Sequence, residues 1–101
     1  MAARPNKPLC LVLLTYVGRI EEVDRVRPAH VAWIEQAMAE GVMLLAGRRA
    51  DSSGGVLLFR GQPEQVAAVA QTDPFVVEGV ATFEVVAFNA SLAVDGVAAL
   101  L

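Results

Sequence analysis

These 101 residues hold a single cysteine and a single histidine. Cys10 alone cannot close an internal disulfide, and a chain without one fits the cytoplasm. Cys10 and His30 together fall short of the four ligands of a structural zinc site, so no metal is expected. No G-x-G-x-x-G follows a strand, and Gly47, Gly54 and Gly55 make no nucleotide fingerprint. No nucleophile elbow is present, and no cofactor is expected. Charge is also scarce: 19% of residues are charged, the net charge is −3, and the longest basic run is Arg48-Arg49. Without a basic stripe to neutralise phosphates, nucleic acid is excluded as a partner. No segment offers the roughly 18 consecutive apolar residues of a membrane span. Arg4 and Lys7 before the apolar run 9–17 outline the start of a signal peptide, but no small-residue cleavage site follows, and the run reads as a strand.

What the chain has in excess is apolar side chains, at 55%. A body of this length supports one domain with one core. So much apolar surface cannot be hidden within it, which predicts a buried interface between two copies related by a two-fold axis.

Residues 1–8 are polar and hold Pro5 and Pro8, and read as a flexible arm. Leu9 to Tyr16 is a continuous apolar run of strand length, as expected of a central strand buried on both faces. Residues 17–26 read as a polar connection with at most a turn of helix. Pro28 to Glu40 has helical spacing, Pro28 at its start and Gly41 at its end. Val42 to Ala46 and Val56 to Phe59 read as strands joined by a glycine-rich hairpin loop. Pro63 opens a second helix that runs to about Gln71, and Ala81 to Asn89 is a fourth strand. Residues 90–101 form an apolar tail expected to dock on the body or on a partner copy. The order β-α-β-β-α-β with short connections predicts an α+β, ferredoxin-like fold: an antiparallel sheet with both helices on one face. The other face would be apolar and bare, so two sheets packing face to face would resolve the excess.

Two places concentrate chemistry. In Asp73-Pro74-Phe75, aspartate is a good helix N-cap and proline a good first helical residue, and Gly79 ends the turn. His30 falls within roughly 40° of Ile34 around the helix at about 100° per residue, so it faces the sheet. Placed one turn from a helix N-terminus, its ring is expected to rest neutral and able to take a proton.

Arg27-Pro28-Ala29-His30, the segment from Gly41 to Gly47, Asp73-Pro74-Phe75 and Gly79 together resemble the YCII-related (YciI-like) family, from about residue 9 to residue 89. The resemblance implies ferredoxin-like subunits paired into a dimeric α+β barrel. It also implies a pocket lined by a histidine and an aspartate, matching His30 and Asp73. A similar protein acts as a dehydrochlorinase on a hydroxyquinol, and related α+β barrels include lactone isomerases. Members often carry proline after the glycine that ends the second strand; here Arg48 follows Gly47.

Each of these residues also has a structural reading. His30 is either a general acid–base or a partly buried ring bonded to a backbone carbonyl. Asp73 caps the turn at Pro74, orients the imidazole, or does both, since a carboxylate has two oxygens. Arg27 is a holder for an anionic or phenolic oxygen or a solvated charge, and Arg48 marks the pocket mouth or is solvated. Tyr16 is a possible hydrogen-bond donor, and Phe75 and Gly47 are candidate walls. Two functions follow. One is cofactor-free elimination or isomerisation of a small cyclic oxygenated substrate by His30 and Asp73. The other is a non-catalytic ligand-binding or structural dimer module.

Overall fold

The computed structural model describes residues 2–101. Its elements are β1 (Ala2–Ala3), β2 (Lys7–Tyr16), α1 (Ile20–Ala39), β3 (Met43–Arg48), β4 (Gly54–Arg60), α2 (Pro63–Ala70), α3 (Pro74–Val77), β5 (Ala81–Ala90), β6 (Ala93–Val94) and α4 (Asp95–Ala98). The main sheet has four strands in the order β3-β4-β2-β5, all neighbours antiparallel. This is the expected ferredoxin-like arrangement, with the first strand of the domain in the middle. β1 and β6 pair as a separate two-stranded ribbon. That ribbon draws together the ends read as an arm and a tail, and Arg60 donates to the carbonyl of Leu100.

Register decides which side chains meet. Leu14 lies opposite Gly55 and Phe83, Val12 opposite Leu57 and Val85, and Cys10 opposite Phe59 and Ala87. On this face Cys10, Val12, Leu14, Leu57 and Phe59 are buried, packed with Val23, Val26 and Ala37 of α1, Val66 and Ala70 of α2, and Phe75 of α3. Each valine, leucine or phenylalanine among them contributes about 1.5–3 kcal/mol of burial. The opposite face is not closed. Leu11, Leu13, Val56 and Leu58 are half-buried, and Leu45, Val86 and Phe88 are 53%, 41% and 43% exposed. β2 is therefore fully covered on one face only within a single chain, where full burial of both had been expected.

The first helix is the main correction. It starts at Ile20, not Pro28, and Pro28 lies inside it. An interior proline removes one hydrogen bond and costs about 3 kcal/mol. Two opposing features carry the helix through it. Val23 and Val26 continue the buried stripe of His30 and Ala37, and two i,i+3 ion pairs, Arg25–Glu22 on the outer side and Arg27–Asp24 at the edge of the buried face, support the first turns. What read as a polar connection is thus the solvated side of an amphipathic helix. Gly41, at φ +79°, completes the exit from α1, as expected. His30 consequently sits mid-helix, away from the N-terminal end of the dipole, and the reason given for its resting charge does not apply. The hairpin loop is also shorter than expected, because Gly47 and Arg48 belong to β3.

Candidate active site

Asp73 caps α3. Its Oδ1 accepts the backbone N–H of Phe75 at 3.0 Å, with Pro74 as the first helical residue. Gly79, at φ +71°, turns the chain out into β5. The same Oδ1 lies 2.7 Å from Nδ1 of His30, reaching across from α3 to α1. Both groups are buried, His30 with 7% of its surface exposed and Asp73 with none. With Asp73 as acceptor, Nδ1 carries a proton, and in the neutral ring Nε2 then keeps its lone pair. Among the described residues nothing bonds Nε2, and nothing bonds Asp73 Oδ2, which is fully enclosed. The imidazole is held flat as well as by its edge. Phe75 stacks on it at 3.9 Å between centroids with 16° between planes, and Trp33 lies 6.1 Å away on a nearly parallel plane. Such aromatic pairs contribute about 0.5–1.5 kcal/mol each.

His30 borders a cavity of about 240 Å³ between α1 and the helix-side face of the sheet. From α1, Arg27, His30, Val31 and Ile34 reach it together, the i, i+3, i+4, i+7 stripe of one helical face. β2 supplies Leu14 and Tyr16; β3 supplies Ala46, Gly47 and Arg48; β4 supplies Gly55 and Leu57; and Phe75 completes the wall. Gly55 lies opposite Leu14, where a Cβ would stand 3.2 Å from the Gly47 carbonyl oxygen and 3.6 Å from Leu14 Cδ1.

Six of the seven residues singled out from sequence line the cavity: His30, Arg27, Tyr16, Phe75, Gly47 and Arg48. Asp73 does not line it and meets it only through His30. The walls from Leu14, Val31, Ile34, Ala46, Gly55 and Leu57 were not anticipated, because apolar and glycine positions carry no local sign of facing a hollow. The Trp33 indole N–H donation to Thr72 Oγ1, at 2.9 Å, was likewise unforeseen.

Polar groups gather at one end. Arg27 donates to the Tyr16 hydroxyl at 3.4 Å and pairs with Asp24 at 3.2 Å. Its guanidinium also lies 5.7 Å from the Phe75 ring centre and 5.9 Å from that of Tyr16. The Tyr16 hydroxyl, and after it Asp24, raise the Arg27 pKa above its ordinary value, against the opposing effect of partial burial. Since the Tyr16 oxygen accepts from Arg27, its own proton is free to be donated elsewhere. The Arg48 side chain makes no hydrogen bond or ion pair among the described residues. Among those residues no group of three or more His, Cys, Asp or Glu side chains is placed to hold a metal ion. No helix among the described residues is long and apolar enough to cross a membrane.

Comparison with solved structures finds the same fold in 5-chloro-2-hydroxyhydroquinone dehydrochlorinase from Burkholderia phenoliruptrix AC1100, solved in complex with 2,5-dihydroxybenzoquinone. The two share 20% sequence identity at a TM-score of 0.65, over 77% of this chain and 90% of the other. A search of curated proteins returned no match. The YCII-related domain matches residues 4–89, and with that span and this fold the chain belongs to the YCII-related domain family.

Proposed function

We propose that this protein is a small-molecule enzyme that moves protons without a cofactor, with His30 as general acid–base and Asp73 as the group that positions it. The observation that carries the reading is the buried 2.7 Å contact between His30 Nδ1 and Asp73 Oδ1, with the ring bordering a cavity. Asp73 keeps the Nδ1–H tautomer, leaving Nε2 to take a proton from a guest, and its negative charge steadies the imidazolium that results. Acid–base assistance of this kind is worth about 10²–10⁴ in rate. An elimination would take a proton at Nε2 and release an anion, and an isomerisation would return the proton to another atom of the same ring. Both suit a small cyclic, oxygenated substrate in a cavity of about 240 Å³. The solved relative, a dehydrochlorinase holding a dihydroxybenzoquinone, supports that class.

Two copies are expected to assemble through the open apolar face of the sheet, where Leu11, Leu13, Val56 and Leu58 are half-covered in one chain. The non-catalytic reading rests on the fact that capping α3 already accounts for Asp73. Chlorinated hydroxyquinols, scored by chloride release, and small lactones, scored by absorbance, separate the two. His30→Ala is expected to abolish turnover while leaving the oligomer intact. Undiminished turnover in that variant overturns the enzyme assignment.

A further inference from the structure

We propose that the cavity beside His30 is an anion site, taking a single ring that bears one anionic oxygen group, with Arg48 as the residue that selects for the charge. The inference rests on the reading of this cavity as the substrate site and adds the class of molecule that enters. Two guanidinium groups, Arg27 and Arg48, border the cavity, and no carboxylate does. Arg27 is partly satisfied by Asp24 and Tyr16. Arg48 is satisfied by nothing among the described residues, so its positive charge at the rim is uncompensated within the chain.

The position is set by register. Arg48 pairs with Gly55, which in turn lies opposite Leu14, so the Arg48 side chain stands on the helix-side face of the sheet. Arg49, one residue on, donates to Thr15 and does not line the cavity. The charge at this rim therefore belongs to one of two adjacent arginines, for a geometric reason. A guest anion held by Arg48 and Arg27 would also lie within the reach of the Tyr16 hydroxyl proton, which Arg27 leaves unused.

The remaining walls limit the guest. Leu14, Val31, Ile34, Ala46, Leu57 and Phe75 suit the faces and edges of one ring. The volume of about 240 Å³ lies below the roughly 300 Å³ at which ligand pockets usually begin. α1 presents its middle rather than its N-terminus, and the first-turn N–H of α3 at Phe75 is already taken by Asp73, so neither offers the helix end that usually cradles a phosphate. The chemistry thus favours a planar carboxylate or an ionised ring hydroxyl over a phosphate.

The test is equilibrium binding by calorimetry at low and moderate salt, with benzoate, 4-nitrophenolate and neutral benzamide as probes on the whole protein. The expected result is binding of one or both anions, with benzamide roughly tenfold or more weaker. Benzoate alone would assign carboxylates, and 4-nitrophenolate alone would assign ionised hydroxyls. Arg48→Met should lower anion affinity by about tenfold to a hundredfold, while Arg49→Met should leave it unchanged. Equal binding of benzamide and benzoate, or an Arg48→Met protein that binds anions as wild type does, overturns the proposal. Because the readout is binding, His30→Ala separates the two claims. Loss of turnover with anion binding kept supports both, whereas turnover with no anion preference sinks only this one.

Discussion

Truncating Asp73 to alanine tests whether its carboxylate joins α3 to α1. One oxygen, Oδ1, accepts both the Phe75 N–H at 3.0 Å and the His30 Nδ1–H at 2.7 Å. Phe75 and His30 are themselves buried, so water cannot replace the lost acceptor. Loss of the cap costs about 1 kcal/mol, and a buried donor left without a partner costs about 1–3 kcal/mol. Relief of enclosing the unpartnered Oδ2 offsets part of this. A destabilisation of about 2–4 kcal/mol is expected for Asp73→Ala, enough to lower Tm by roughly 10–20 °C in a domain of this size. Asp73→Asn keeps an acceptor at the same place and remains a good N-cap, so it should cost only about 1 kcal/mol. Its effect on turnover should be far larger than its effect on stability, because the amide cannot balance an imidazolium. Urea unfolding at fixed protein concentration, followed by the fluorescence of the single tryptophan, Trp33, measures the stability of both variants. If Asp73→Ala unfolds within about 0.5 kcal/mol of wild type, or Asn costs as much as Ala, the carboxylate is not the link described.

A Cβ at Gly54 would stand 1.7 Å from the Leu14 carbonyl oxygen, whereas one at Gly47 would meet nothing within 4 Å. Gly54→Ala is therefore expected to lose more than about 4 kcal/mol or fail to fold, and Gly47→Ala to change stability by less than about 1 kcal/mol, both read from urea midpoints. Burial, and secondarily Glu64, raises the Cys10 thiol above its ordinary value of 9.0. The native protein should accordingly resist Ellman's reagent until unfolded. The stability linked to the neutral thiol is complete below pH 9 and is lost as pH rises through the higher folded value, visible as falling urea midpoints in that range. Fast labelling of native protein would contradict the buried placement. The parent is expected to give dimers by light scattering and Leu58→Asp, on the open sheet face, monomers; an unchanged mass would remove that face as the interface.

Sequence patterning reached the sheet well, because β2 and β4 are apolar runs of strand length and β5 alternates along Phe83, Val85 and Ala87. The Asp73-Pro74 cap was equally legible, since capping is local chemistry written in adjacent residues. Pro28 misled because proline is a strong punctuation mark, and only tertiary burial of Val23 and Val26 shows that the helix runs through it. The β1–β6 ribbon has two residues per strand and no turn signal between its partners, so nothing short of coordinates reveals it. His30 and Asp73 lie 43 positions apart. Spacing alone aimed His30 at the sheet, and family resemblance supplied its acidic neighbour. The remaining cavity walls depend on strand register, which single-residue slips would invert and which no local motif specifies.

The β3–β4 hairpin has a consequence of its own. His30 and Asp73 hang from α1 and the cap of α3, while Ala46, Arg48, Gly55 and Leu57 on that hairpin form the opposite wall. On the proposed reading, the proton-moving pair sits on the helices and part of the recognition on the hairpin, with Arg27 sharing α1 with His30. If that reading holds, drift along the hairpin would re-tailor which guest is admitted while the His30–Asp73 pair stays as it is, a division that would let one small scaffold diversify its diet.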